Sequence, residues 1–202
     1  SSSVSAGGGI SVVSLLNRNG DGSVRTTALL DASGVPLGGS VAKGARATAT
    51  TASGALLGGV QGAVANATVS PNVQTDVSSG AALSAGGAIS MLARANEEVT
   101  ADAGGVGVSG GGQVGATLAN ASIGGSVITH LDGSVASGAS LTLTTQVDTD
   151  AIARGTAIGG ALLFSGNGTA VDAVITQSVQ STIGGSSSIT VTGDVALATM
   201  LI

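Results

Sequence analysis

Short segments in which apolar and polar residues alternate recur along the whole chain. Val73, Thr75 and Val77 form one such row, and the same pattern returns at residues 127–131 and 179–183. A period of two with β-branched residues predicts β-strands, and the Gly-Gly, Asn-Gly and Ser-Gly pairs between rows predict turns. A second set of rows is expected at equivalent positions: Ile89 and Met91, Leu141 and Leu143, and Ile189 and Val191. The predicted fold class is all-β.

The rows belong to longer internal repeats. Residues 65–69 resemble residues 119–123 at an offset of 54, and residues 54–57 resemble residues 160–163 at an offset of 106, which is twice 53. A period of roughly 50 to 54 residues is typical of solenoids, propellers and other repeat arrays. One repeat domain over residues 1–202 is predicted, with copies near 1–46, 47–98, 99–150 and 151–202.

The first copy is expected to contain an insertion. Residues 39–51 match residues 133–145 at an offset of 94, whereas residues 22–24 match residues 125–127 at an offset of 103. The difference predicts a loop of about nine extra residues around Leu29 to Leu37.

The small size of the side chains favours one repeat architecture. The chain has 35 glycines, one Phe, no Tyr and no Trp, so a single copy buries little apolar area. Copies that pair along their strands with the next copy overcome that weakness. A β-solenoid is therefore predicted, with an all-β sandwich as the alternative. A propeller is disfavoured because its blades usually carry aromatic or Trp-Asp signatures.

Charge and composition exclude several functional classes. Six Lys and Arg against eleven Asp and Glu give a net charge of −5, which argues against nucleic-acid binding. The absence of Cys removes disulfide scaffolds, zinc fingers and thiol catalysis. Residues 103–131 carry no charge but are rich in Gly, Ser, Asn and Gln, so no membrane-spanning helix is predicted. A mean hydropathy of +0.52 argues against disorder.

One loop partly resembles a calcium-binding loop. Asn17, Asn19 and Asp21 place oxygen-bearing side chains at alternate positions before Gly22. The closing Glu of such a loop is missing, because its position is occupied by Ala28. The favoured interpretation is an Asn-Gly hairpin turn. Apart from this weak calcium candidate, no cofactor is expected.

Other polar residues are weak candidates for sites. Glu97, Glu98 and Asp102, and likewise Asp148 and Asp150, could bind a cation, but solvated charges that discourage edge aggregation are the better interpretation. A lone histidine forms no catalytic triad, so His130 is expected on an exposed face, in register with Asp76 and Thr182. The protein is not expected to be an enzyme.

Two blocks are rich in threonine. Thr48, Thr50 and Thr51 are expected to align with Thr142, Thr144 and Thr145, next to Ser90, Leu92 and Ala93 and to Thr190 and Thr192. A flat Thr face could bind ice or carbohydrate, which gives the alternative function. Ordinary β-propensity of Thr on a solvated strand is the simpler interpretation.

The two ends of the sequence have strand patterns without a polar cap. Unpaired strand edges promote pairing with another chain. Head-to-tail self-association, or continuation into a longer repeat chain, is therefore expected through apolar side chains at both ends: Val4, Val195, Leu197, Met200, Leu201 and Ile202.

The repeat blocks resemble those of a known class of proteins. Residues 39–51 and 133–145 (Gly-Ser-Val-Ala…Thr-Thr), residues 54–57 (Gly-Ala-Leu-Leu) and residues 65–69 (Ala-Asn-Ala-Thr-Val) are similar to the Ala/Gly/Val/Thr-rich repeats of large secreted bacterial surface proteins. These include filamentous-haemagglutinin-like and leukotoxin-like filamentous adhesins. The resemblance implies an extracellular β-solenoid fibre for adhesion or matrix building, secreted or held at the cell surface, with no catalytic residues.

Overall fold

The structure, a computed structural model, describes residues 2–30, 33 and 35–202. Strands make up 75% of it, and no helix occurs in this described part, so the all-β prediction is confirmed. The described residues form sixteen strands: β1 (Ser3–Ala6), β2 (Ile10–Leu16), β3 (Thr26–Leu30), β4 (Pro36–Ala42), β5 (Gly44–Ala55), β6 (Gly58–Val69), β7 (Asn72–Val77), β8 (Ala82–Ala85), β9 (Ile89–Ser109), β10 (Gly112–Ile123), β11 (Ser126–Leu131), β12 (Ser134–Ser137), β13 (Leu141–Ala161), β14 (Phe164–Ile175), β15 (Ser178–Ile183) and β16 (Val195–Leu201).

Nearly all the pairing between strands is parallel and keeps a constant register. Val73 pairs with Val127 and Val127 with Val179, as the rows in the sequence predict. Partners on successive strands are 54 or 52 residues apart in most of the sheets. Because side chains alternate between the two faces of a strand, this register places similar side chains of successive strands next to one another, both in the interior and on the outer face.

Three of the parallel sheets form the body of the molecule. Their strand orders are β1-β8-β12, β7-β11-β15 and β2-β9-β13-β16, where β9 and β13 contribute their first halves. The three sheets enclose one apolar cluster, whose larger fully buried side chains are Ile89, Met91, Leu131, Leu141 and Leu143. The body therefore holds most of the large aliphatic side chains that the chain buries.

The second halves of β9 and β13 leave the body and form what we call the fin. The fin comprises residues 44–69, 98–123 and 150–175, arranged as two three-stranded parallel sheets, β5-β9-β13 and β6-β10-β14. Its twelve-residue strands extend about 40 Å. The base of the fin is packed almost entirely with alanine, including Ala63, Ala101 and Ala121.

At the fin tip, each chain segment turns from one sheet to the other through two residues. The turns are Leu56-Leu57, Gly110-Gly111 and Leu162-Leu163. A Cβ on Gly111 would overlap the carbonyl oxygen of Leu57, so the middle turn requires glycine for its close approach to the neighbouring turn.

The insertion in the first copy is larger than predicted. Strand β2 pairs with β9 up to Leu16 and Ala95, and β5 resumes that pairing at Gly44 and Glu98. Residues 17–43 therefore replace the two residues Asn96 and Glu97 of the next copy, and they include the antiparallel hairpin β3-β4. The predicted insertion around Leu29 to Leu37 covers only its tip, of which Asp31, Ala32 and Gly34 lie outside the described residues.

Two of the predicted alignments are wrong. Residues 39–51 do not pair at an offset of 94, because Thr48 is paired with Asp102 rather than with Thr142. Ile189 forms a bridge with Val135, whereas Leu141 pairs with Val195. In both cases similar residues recur at more than one offset, so similarity in sequence does not determine the pairing register.

The predicted copy boundaries fall within long strands. Glu98 and Asp150 are partners in β9 and β13, and the equivalent position in the first copy is Gly44. The predicted ends of the second and third copies, at 98 and 150, therefore occupy equivalent positions in the register. The predicted end of the first copy, at 46, is two residues beyond the equivalent position.

We expect the body core to dominate stability. Leu143 is fully buried between Met91 and Leu197 of the neighbouring strands, so Leu143→Ala should lower the free energy of unfolding by about 2–5 kcal/mol. Urea denaturation followed by far-UV circular dichroism measures this. The control Leu57→Ala removes the same atoms from a side chain that is 88% exposed and should change stability by less than about 0.5 kcal/mol. Equal effects would contradict this assignment of the core.

Candidate interaction surfaces

The loop proposed for calcium is a hairpin turn held by its own side chains. The amide of Asn19 donates to the carbonyl of Ser23, and Gly22 adopts a positive φ of 86°, as in a three-residue hairpin loop. Asp21 Oδ1 accepts hydrogen bonds from both the amide and the hydroxyl of Ser23, and these bonds lower the pKa of Asp21. Asn17 Nδ2 donates to the carbonyls of Lys43 and Asn96. The three candidate ligands are therefore engaged in closing the loop.

The two carboxylate clusters are divided among different partners. Asp102 lies between Arg46 and Arg154 on the outer face of the fin, at 3.3 and 3.4 Å. Glu98 pairs in register with Asp150, while Glu97 points to the opposite side. No group of three or more acidic or histidine side chains able to hold a metal ion occurs in residues 2–30, 33 and 35–202.

Charged side chains are buried where the inserted hairpin meets the body. Arg18 is 7% exposed, forms an ion pair with Asp148 and donates through its Nη1 to the carbonyl of Gly22 at 2.7 Å. Burial lowers the pKa of Arg18, and the nearby charge of Arg94 lowers it further. This contact fixes the hairpin to β13, so the insertion is anchored by charge as well as by backbone pairing.

Glu97 is the most deeply buried carboxylate of this junction. It is 1% exposed, and its Oε1 accepts a hydrogen bond from Gln177 Nε2 at 2.5 Å, while its Oε2 has no partner. Burial raises the pKa of the Glu97 carboxyl, and the hydrogen bond from Gln177 offsets only part of that rise.

His130 lies where its row in the sequence places it. It pairs in register with Asp76 and Thr182, and its Nδ1 is 2.8 Å from the hydroxyl of Thr182. The ring is half-buried on the outer face of the sheet β7-β11-β15.

The predicted threonine face does not form as a single surface. Thr142, Thr144 and Thr145 do pair with Ser90, Leu92 and Ala93, as predicted. Thr48, Thr50 and Thr51 lie on the fin, paired with Asp102, Gly104 and Gly105, and Thr190 and Thr192 are not in the pairing register of the row. Thr145 is fully buried and hydrogen-bonds to Thr129 and to the carbonyl of Gln180. The two threonine blocks therefore lie on different parts of the sheet that contains β9, one on the body and the other on the fin.

The residues predicted for self-association lie at the two ends of the stacked rows. Val195 and Leu197 extend the rows of Leu141 and Leu143, and Val4 extends the row of Leu83. They are 45%, 48% and 53% exposed, whereas the residues they continue are buried. Leu201 extends the row of Val147, and the exposed Ile202 follows it. Met200 pairs with Gln146, on the opposite face of the sheet.

Sequence reasoning missed the surface at the fin tip. Leu56, Leu57, Leu162 and Leu163 are 79–90% exposed, and the ring of Phe164 covers Gly112 beside them. In the sequence, the Gly-Ala-Leu-Leu blocks indicate a repeat. Two adjacent leucines in a predicted turn were the available signal, since turns are normally polar.

Comparison with known proteins does not assign this chain to a class. No protein-family model, no curated protein and no solved structure matches it. Among the described residues, no helix is long and apolar enough to cross a membrane.

We expect Glu97 to make stability depend on pH. A carboxyl whose pKa is raised by folding holds its proton to higher pH in the folded chain than in the unfolded chain, so its contribution to stability is full below the ordinary pKa and is lost as pH rises through the folded value. Glu97→Gln should therefore raise the free energy of unfolding at about pH 7.5 and have little effect near about pH 4.

Urea denaturation at the two pH values measures the effect of Glu97→Gln. Glu98→Gln removes the same charge from a partly exposed position one residue away and serves as the matched control. An equal gain at both pH values, or an equal gain in the control, would refute the role of burial.

Proposed function

We propose that the chain is a β-solenoid that serves as a structural, non-enzymatic part of an extracellular fibre or adhesin stalk. Successive turns of the solenoid stack by parallel backbone pairing, and a strand from a second copy, or from continuing chain, adds to each end in the same register. The protein acts at the cell surface or in the secreted matrix, as its resemblance to secreted bacterial repeat proteins implies.

One observation carries this proposal: the core rows run through to both end strands and stay half exposed there. Leu83 and Val135 are buried while Val4 in the same row is 53% exposed, and Leu143 is buried while Leu197 is 48% exposed. A strand added in register would bury these side chains and complete the hydrogen bonds of the edge. Each added strand then presents the same kind of edge, so the association is open-ended.

The geometry does not favour the alternative of a threonine face that binds ice or carbohydrate. Regular ligand arrays need repeated side chains on one flat surface. One Thr-rich block lies on the body and the other on the fin, and Thr145 is in the interior.

The assembly proposal is tested by the mass of the particles at rising protein concentration. Wild-type chains should form rods of increasing length, seen by sedimentation velocity and negative-stain electron microscopy. Leu197→Lys places a charge on the core side of the edge strand β16, which blocks pairing, and should keep the protein monomeric.

Thr142→Lys is the matched control for charge, because Thr142 lies on the outer face one strand away from the edge. It should assemble as the wild type does. A wild type that stays monomeric at every concentration, or a Leu197→Lys variant that still forms rods, would overturn self-association through this edge.

A further inference from the structure

The fin changes polarity halfway along its length. In its base the interior is apolar, with Ala65, Ala101 and Ala119, and the residues outside are polar or charged. In its distal half the interior combines small residues such as Ala63 and Ala103 with buried polar side chains: Gln61 and Gln113 are 6% and 0% exposed, and Thr117 is 1% exposed. These polar groups face one another and glycine, as in the hydrogen bond from Thr117 to Thr169 at 3.1 Å.

The outside of the distal half is correspondingly apolar. Its exposed side chains include Val60, Val106, Val108, Val114, Leu118 and Ile158, which are 47–80% exposed, as well as the four leucines of the tip. Only Thr50 and Thr156 interrupt these outer rows with hydroxyl groups. A fold that is polar inside and apolar outside is stable when something other than water covers the outside.

Both faces of the fin change polarity at the same height. On one face the row is Thr48, Asp102 and Arg154, and on the other it is Asn66, Asn120 and Asp172. The residues of the first row lie eight positions from the turn at the tip and those of the second row nine, or about 26–30 Å. No Asp, Glu, Lys or Arg occurs beyond these rows, in residues 49–65, 103–119 and 155–171.

From these observations we propose that the distal fin binds to a lipid surface, with the leucines of its tip inserted among the lipids. The inserted residues are Leu56, Leu57, Leu162, Leu163 and Phe164. This inference concerns the tip and the outer faces of the fin, whereas the association proposed above concerns the edges of the end strands.

The shape of the apolar surface favours lipid over a second copy of the chain. Each face of the distal fin spans three strands, about 14 Å by 26 Å, or roughly 350 Å². That is less than half of the roughly 800 Å² that each partner buries in a stable protein interface. A flat partner covers one face and leaves the tip exposed, whereas a lipid layer surrounds the tip and the adjoining part of both faces together.

The depth of insertion is limited by the backbone. The outer strands β6 and β14 leave one side of their hydrogen-bonding groups unpaired, and hydrocarbon cannot solvate those groups. The tip therefore lies at the boundary of headgroups and acyl chains, about 5–10 Å deep. With no charge in the distal fin, binding should occur on neutral phosphatidylcholine and be insensitive to salt.

Vesicle binding tests the proposal directly. The chain has no Trp, so Leu57→Trp supplies a single fluorophore at the tip, and its emission should shift to the blue and be quenched by brominated lipids when phosphatidylcholine vesicles are added. Val13→Trp is the control, because Val13 lies on the body and is 49% exposed. Its emission should show neither the blue shift nor the quenching.

A variant with the four tip leucines changed to Asn should lose more than about tenfold in vesicle partitioning. Its urea stability should stay within about 0.5 kcal/mol of wild type, because those side chains are exposed. Leu197→Lys, which blocks the edge of the body, should still bind vesicles, so failure of one proposal is separable from failure of the other.

Three results would overturn the lipid proposal. The first is a wild-type chain that does not sediment with vesicles. The second is an Asn variant that binds as well as the wild type. The third is a concentration-dependent dimer that the Asn variant abolishes in the absence of lipid, which would assign the tip to a second copy.

Discussion

Parallel backbone pairing in constant register is the constraint on which the rest of this structure depends. In most of the sheets each residue is paired with residues 52 or 54 positions away, so a property of one strand is repeated on the next. Small side chains suit this arrangement, because rows of Ala and Gly let two sheets approach closely without large voids. The large aliphatic residues that the chain buries are consequently concentrated in the body, where three sheets meet around Leu141 and Leu143.

The same constraint explains where exceptions occur. The insertion at residues 17–43 leaves the stack at a junction and rejoins it in register, which is possible because Leu16 and Gly44 lie beside Ala95 and Glu98. The buried charges are at that junction: Arg18 pairs with Asp148, and Glu97 meets Gln177. A charged side chain buried in one of the stacked rows would have only small residues beside it and no partner. At the junction, side chains from different strands meet and form ion pairs and hydrogen bonds with one another.

The sequence predicts the strands well and the alignment of the first copy poorly. Val73, Val127 and Val179 were placed in register because each has the same alternating neighbours, and residues 65–69 were matched to 119–123 for the same reason. The block at 39–51 resembles 133–145 equally well in letters, but Gly, Ser, Ala and Thr fit many registers. Only the pairing of Leu16 and Gly44 with one continuous strand, β9, shows that 27 residues lie between them where the next copy has two. That connection is tertiary, and no local pattern encodes it.

The polarity change in the fin is a different case, because its signal was present in the sequence. Along β10 the apolar positions are even-numbered as far as Leu118 and odd-numbered from Ala119, and β6 changes near Val64, where Ala63 is already apolar. A strand cannot twist by half a turn at one residue without losing its ladder, and the hydrogen bonds of both strands continue without interruption. The switch of the apolar residues from one face of the strand to the other therefore reflects a different environment around the fin, and not a different backbone conformation. Water suits the outside of the base, with its Asn66 and Asn120, but not the outside of the tip, with its paired leucines. Stacking turns on one another buries residues between the two sheets and leaves this outer surface as it was, so the fin requires a second, apolar contact beyond the one that builds the stack.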